Sequence, residues 1–162
     1  MGQIMKDKMF LRAAAERSIA ELKFSELAVE KAASEDVKAF GQKMIDDHAQ
    51  LKTDLATVAD AAGIRLPNDM NKEDQAQYEK LKALSGNDFE TAYLTLMIKS
   101  HHRAMRDFRV EAMGSPDQDL AEFVTKSEHV IHEHLVMVNK LAKDKGVPMP
   151  QRGSKHAPPP AS

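Results

Sequence analysis

Apolar residues recur at three- and four-residue spacing along four long segments of this chain, at about residues 6–33, 35–62, 87–113 and 116–145. This spacing is typical of amphipathic helices that bury one face. The chain has no sustained alternation of apolar and polar residues, which is the pattern of a half-buried strand. At 162 residues it is long enough for one domain with its own core. We therefore expect an all-α protein.

Polar caps and glycines mark the ends of these helices. Ser34 is typical of an N-cap before the second helix, and Gly63 of the residue that ends it. Asn87 and Glu90 have the spacing of a capping box at the start of the third helix. Ser115, followed by a proline, predicts the start of the fourth.

The connections between the helices predict how they are arranged. Two of them are very short, so the first and second helices, and the third and fourth, should form antiparallel hairpins. The middle connection is about 25 residues long and contains the pattern of a short helix at residues 72–85. Two hairpins joined by a long crossover predict a ferritin-like four-helix bundle. We assign residues 1–147 to this bundle domain and residues 148–162 to a disordered, proline-rich tail.

Three histidines interrupt the apolar stripes. His48, His101 and His134 lie on the second, third and fourth helices, each near the middle. Helix midpoints share one level in an antiparallel bundle, so the three imidazoles should converge. A single core histidine is usually an ordinary hydrogen-bonding residue. Three at one level favour a metal site.

The first helix offers a carboxylate as a fourth ligand. Glu21 and Glu26 lie on opposite edges of its stripe, and periodicity alone does not choose between them. Three neutral imidazoles and one carboxylate suit a divalent transition metal such as Zn, Cu, Fe or Mn.

Other residues are candidates for the surroundings of this site. Asp47 and Glu133 are predicted to accept hydrogen bonds from the ligand histidines, and Tyr93 to line the cavity. No glutamate has a histidine three residues later, so the Glu-x-x-His pairs of diiron bundles are absent from the sequence. We therefore expect a mononuclear site.

Composition excludes several other functions. The formal net charge is −2 without a long basic run, which argues against nucleic acid as a partner. The absence of cysteine excludes disulfides and thiolate sites. No apolar stretch is long enough to span a bilayer, and the N-terminus is too polar for a signal peptide. The sequence leaves a homodimer open.

Several stretches resemble a bacterial family called domain of unknown function 4142, which is placed among ferritin-like bundles. They are FLRAAA at residues 10–15, AEL at 20–22, VKAFGQKMIDDH at 37–48, YLTLMIKSH at 93–101 and EHL at 133–135. The resemblance implies a ferritin-like four-helix fold. It favours Glu21 over Glu26 and also singles out Asp47 and the three stripe histidines. Family members are typically predicted to be exported, so the resemblance implies a periplasmic protein whose signal was removed. A complete chain would instead be cytoplasmic.

Three functions follow from this pattern. The first is a metal-binding bundle protein, for metal sequestration or stress protection, in which Glu21, His48, His101 and His134 bind one ion. The second is a redox or hydrolytic metalloenzyme that uses the same site, although no nucleophile–base motif or phosphate loop supports an enzyme independently. The third is a structural or interaction module with a metal-free polar histidine core.

Overall fold

Five helices make up the part of the chain that the structure, a computed structural model, describes, which is residues 2–148. They are α1 (Gln3–Lys31), α2 (Glu35–Ala61), α3 (Lys72–Lys82), α4 (Gly86–Gly114) and α5 (Gln118–Asp144). Residues 2–148 contain no strand, so the predicted all-α class is confirmed. The predicted proline-rich tail lies almost wholly outside the described residues.

The four long helices form a bundle of two hairpins, as predicted. α1 packs mainly on α2 and α4 mainly on α5, while further contacts join α2 to α5 and α1 to α4. Asp7 near the start of α1 accepts a hydrogen bond from Ser115 after the end of α4, and Asp36 at the start of α2 pairs with Lys145 after the end of α5. All neighbouring long helices are therefore antiparallel.

The long crossover explains this arrangement. Between α2 and α4 the chain runs back along the length of the bundle. As a result, α4 is parallel to α2 and lies diagonally opposite to it. The short helix α3 lies within this crossover and packs on α1 and, less extensively, on α4. Asn71 caps α3 by accepting a hydrogen bond from the backbone N–H of Asp74, at 2.8 Å. Gly63 has a φ of 69°, the left-handed conformation expected of a glycine that ends a helix.

Two of the predicted helix starts were wrong in detail. Asn87 and Glu90 do not form a capping box, because α4 begins at Gly86 and Glu90 turns to the α1–α2 connection instead. Ser115 ends α4 rather than capping α5. Asp117 is the N-cap of α5, where it accepts a hydrogen bond from the N–H of Leu120.

The core divides into two apolar clusters, one on each side of the middle of the bundle. The upper cluster, at the end with the α1–α2 turn, includes the large side chains of Phe24, Phe40, Phe89, Tyr93 and Met97. The lower cluster, towards the α4–α5 turn, includes Leu11, Leu55, Phe108, Leu120, Phe123 and Ile131. The stripe histidines lie between the clusters, so the candidate site forms a polar layer in the middle of the core.

α1 and α2 approach closely within the upper cluster. A Cβ atom added to Gly41 would lie 3.1 Å from Cβ of Ala28 and 3.1 Å from the carbonyl oxygen of Ser25. A side chain at this position would push the two helices apart. Within residues 2–148, no helix is long and apolar enough to cross a membrane.

We predict that Glu90→Ala lowers the free energy of unfolding by about 1–3 kcal/mol. The change removes the acceptor for the backbone N–H of Ser34, at the start of α2. Glu90 is buried, and its carboxylate accepts hydrogen bonds from the Ser34 hydroxyl and from the Ser34 N–H, the latter at 3.0 Å. Urea unfolding measures the change. Glu30→Ala, an exposed change on α1, is the control, and equal stabilities of the two variants would contradict the prediction.

Candidate metal centre

The three stripe histidines occupy the middle of their helices. His48 is the central residue of α2, His101 lies next to the centre of α4, and His134 lies less than one turn beyond the centre of α5. Because neighbouring helices are antiparallel and of similar length, these positions fall at one level of the bundle. The depth predicted from the sequence is therefore the depth observed.

The histidines converge in the core and are almost completely buried. The exposed fractions of His48, His101 and His134 are 4%, 1% and 0%. Each offers one ring nitrogen that lies within 4.8 Å of those of the other two. The His134 ring lies centrally, with its centroid 5.6 Å from that of His48 and 5.5 Å from that of His101.

Two of the rings are oriented by hydrogen bonds through one nitrogen. Nδ1 of His101 donates to the carbonyl oxygen of Met97 at 2.6 Å, and Nε2 of His134 donates to the carboxylate of Asp47 at 2.7 Å. The other nitrogens, Nε2 of His101 and Nδ1 of His134, are buried without a hydrogen-bond partner. Buried polar atoms are normally satisfied, so these two lone pairs require an explanation.

The ring of His48 is held between α1 residues. Its Nδ1 lies 3.3 Å from Oγ of Ser18, and its Nε2 lies 2.7 Å from Oε2 of Glu21. The Nε2 contact has the distance of an ion pair but not the alignment of a hydrogen bond, so this nitrogen also lacks a hydrogen-bond partner. Each of the three rings thus has one nitrogen held by a neighbour and one that is not satisfied by a hydrogen bond.

Glu21 is the carboxylate that lies beside the histidines, with an exposed fraction of 2%. Its Oε1 accepts a hydrogen bond from the hydroxyl of Ser100 and lies 3.9 Å from Nδ1 of His101. Burial by itself raises the pKa of Glu21, but attraction to His101 and His48 and the hydrogen bond from Ser100 outweigh it and lower the pKa below its ordinary value. Glu26, the alternative from the sequence, is exposed.

Burial favours the neutral form of two of the imidazoles, those of His101 and His134. Burial lowers the pKa of His134 to about 4, although the hydrogen bond to Asp47 acts in the opposite direction. Burial also lowers the pKa of His101, more than attraction to Glu21 raises it. Neutral histidine is a ligand, whereas protonated histidine is not.

Asp47 and Glu133 do not contact the histidines next to them in the sequence. Successive helical residues point in directions about 100° apart, so a residue cannot reach the ring of its neighbour. Asp47 instead crosses from α2 to His134 on α5 and also pairs with Lys43 at 3.1 Å. Glu133 is half exposed and pairs with His129 on the surface, so the structure does not bring it to the site.

Tyr93 lies in the upper cluster rather than against the histidines. Its hydroxyl forms a 2.7 Å hydrogen bond with Ser25, and its ring packs between Phe40 and Phe89. Phe40 in turn meets His134 edge to face, with centroids 6.4 Å apart. Tyr93 therefore packs against Phe40, which in turn contacts His134.

Sequence reasoning missed two contributions to the site. The Met97 carbonyl that binds His101 is a backbone group made available by the local helix geometry, and no side-chain pattern indicates it. Ser100 lies beside a stripe histidine, and only the packing of α1 against α4 shows that it reaches Glu21. Ser18 was visible in the sequence as a small polar residue on the stripe of α1.

The family model described as Domain of unknown function (DUF4142) matches residues 2–141. This match confirms the resemblance found in the sequence. None of the curated proteins matches the chain.

Several solved structures share the fold. A "putative secreted protein DUF305" from Streptomyces coelicolor has a TM-score of 0.77 at 14% identity, covering 91% of this chain and 98% of its own. A DUF305 fragment from Deinococcus radiodurans has a TM-score of 0.76 at 12% identity, covering 86% and 96%. A "putative spore coat protein" from Bacillus halodurans has a TM-score of 0.68 at 14% identity, covering 96% and 94%. At such identities the likeness shows the fold alone.

We predict that Asp47→Ala destabilises the metal-free protein by about 1–3 kcal/mol, because the buried N–H of His134 loses its acceptor. Asp46→Ala, an exposed change in the preceding residue, is the matched control. Urea unfolding in the presence of a chelator measures both. A cost no larger than that of the control would show that the Asp47–His134 contact contributes nothing to stability.

Proposed function

This chain belongs to the DUF4142 family, and we propose that it binds one divalent transition metal ion through His48, His101, His134 and Glu21. The observation that carries the proposal is a set of three buried rings that each offer a nitrogen within 4.8 Å of those of the other two and that each have a buried nitrogen without a hydrogen-bond partner. Each ring is held by a neighbour at its other nitrogen, the arrangement by which proteins orient metal-binding histidines.

The ligand chemistry supports a transition metal. Imidazole nitrogen suits Zn, Cu, Fe and Mn, while the buried carboxylate of Glu21 offsets one of the two positive charges. Metal–nitrogen bonds of about 2.0–2.1 Å bring ligand atoms closer together than the 4.8 Å within which these nitrogens lie. We therefore expect the rings to move inward when the ion binds.

A mononuclear site accounts best for the arrangement. Within residues 2–148, these histidines are the single group of three or more His, Asp or Glu residues whose candidate ligand atoms cluster in this way. The sequence also has no Glu-x-x-His pair, which each half of a diiron site would require.

Metal sequestration or protection against metal stress is the role that we propose for this site. The ligands come from all four long helices of the bundle, so binding an ion would tie both hairpins together. The Streptomyces coelicolor neighbour of the same fold is named as a secreted protein, which supports our proposal that this protein is exported, for example to the periplasm.

We predict that the wild-type protein binds about one equivalent of Zn(II) or Co(II) and that the double variant His48→Ala/His101→Ala binds almost none. Elemental analysis after dialysis measures bound metal. The double variant His129→Ala/His132→Ala is the matched control, since both of these residues are exposed. Equal metal content in the two double variants would overturn the proposal.

The role of Glu21 as a ligand is tested by comparing two variants of α1. Glu21→Gln removes a carboxylate charge from the core, and Glu26→Gln removes one from the surface. We predict that the Glu21 change weakens Zn(II) binding at least tenfold, because the ion loses an anionic ligand. The Glu26 change should leave the affinity unchanged. Competition with a chromophoric chelator gives both affinities, and equal losses would remove Glu21 from the ligand set.

Metal binding should also stabilise the folded protein. An ion that binds only the native state adds about 2.7 kcal/mol at a free concentration one hundred times its Kd. We therefore predict that Zn(II) raises the Tm by several degrees and that a chelator reverses the change. A Tm that responds to neither would favour the metal-free polar core.

A further inference from the structure

A small cavity of about 30 Å³ lies directly below the histidines. His48, His101 and Glu21 line its upper end. The walls below them are mostly apolar, formed by Leu51, Leu55, Ala104, Phe108, Phe123 and Ile131. These residues belong to or adjoin the lower cluster, so the cavity extends from the site towards the α4–α5 end of the bundle.

The two sides of the histidine layer differ in how they are filled. On the upper side, large buried side chains such as Phe40, Tyr93 and Met97 pack in the upper cluster. On the lower side, the small residue Ala104 lies one turn below His101. The cavity therefore gives a small ligand an approach to a bound ion from below.

The size of the cavity limits what it can hold. About 10–15 Å³ on this scale accommodates one water molecule. The cavity thus has room for about two water-sized atoms beyond the ligand nitrogens. This excludes larger organic molecules from the cavity and fits a ligand of two or three heavy atoms.

Two groups in the walls indicate the charge and polarity of such a ligand. Ser127 on α5 has an exposed fraction of 1%, and its hydroxyl lines the cavity without a hydrogen-bond partner. The hydroxyl lies two turns before His134 on the same helix face, within the apolar part of the core. Arg17 also lines the cavity and brings to its edge a positive charge that pairs with Asp107 at 3.1 Å.

We propose that a metal ion in this site keeps one coordination position open towards the cavity and binds there a small ligand of two or three heavy atoms with at most one negative charge. The Ser127 hydroxyl donates a hydrogen bond to the far end of this ligand. The inference rests on the proposed metal site and adds the ligand class to it. A metal site with no exchangeable position would leave the cavity and the unpaired Ser127 hydroxyl unexplained.

The test uses the full chain loaded with Co(II), whose visible absorption reports coordination, and azide as the probe ligand. Azide should shift the cobalt absorption of the wild-type protein in a saturable titration. Ser127→Ala should weaken azide binding about tenfold, since a hydrogen bond to a charged group contributes about that factor. Ser25→Ala is the matched control, because Ser25 is also a buried serine but lies on the upper side of the histidines.

A second variant tests the space rather than the hydroxyl. Ala104→Val adds two carbon atoms to the wall and should reduce azide binding at least tenfold while cobalt stoichiometry stays near one. Both Ser127→Ala and Ala104→Val should leave the cobalt content unchanged. If each of them retains wild-type azide affinity, the cavity is not the binding site and the inference fails.

The outcomes separate this inference from the proposed function. If Co(II) binds through the histidines but azide leaves its spectrum unchanged, the metal site stands and the open position is overturned. If the wild-type protein binds no Co(II), both the metal site and the open position are overturned.

Discussion

The cost of removing three imidazoles and a carboxylate from water is the constraint on which the rest of this structure depends. An unpaired buried polar group costs on the order of 1–3 kcal/mol, and a buried charge costs more. The bundle offsets this cost with partners from neighbouring helices. Ser18 on α1 contacts His48 on α2, and Ser100 on α4 donates a hydrogen bond to Glu21 on α1. Asp47 on α2 accepts a hydrogen bond from His134 on α5. What these partners leave unsatisfied is one nitrogen on each ring, and the metal ion that we propose would supply the missing partner for all three at once.

The packing around this polar layer is asymmetric. Above it, Phe40 lies against His134 and Tyr93 lies behind Phe40. Below it lies the cavity that reaches His48 and His101. Aromatic side chains therefore contact the histidine layer on one side, and the cavity borders it on the other.

Most of the architecture could be predicted because it depends on local patterns. Stripes of three- and four-residue spacing indicate long helices, and Gly63 or Asn71 marks an end through its own backbone or side-chain chemistry. The depth of His48 and His101 followed from the helix limits alone. Glu90 shows where this reasoning fails, because its partner Ser34 is distant in the sequence and reaches it only through the packing of the two hairpins. The partner of Asp47 was missed for the same reason: it lies on another helix.

The sequence by itself determined the helices, their antiparallel pairing within each hairpin and the level at which three histidines interrupt the core. These are consequences of residue spacing and connection length, and both are properties of the chain. Only the tertiary structure decided which nitrogen of each ring is held, how Glu21 lies against His48, and that a cavity opens beneath them. Those features depend on the rotation of each helix about its axis and on side chains from helices far apart in the chain. Packing sets both, and periodicity determines neither to within the few ångströms that a hydrogen bond or a metal ligand requires.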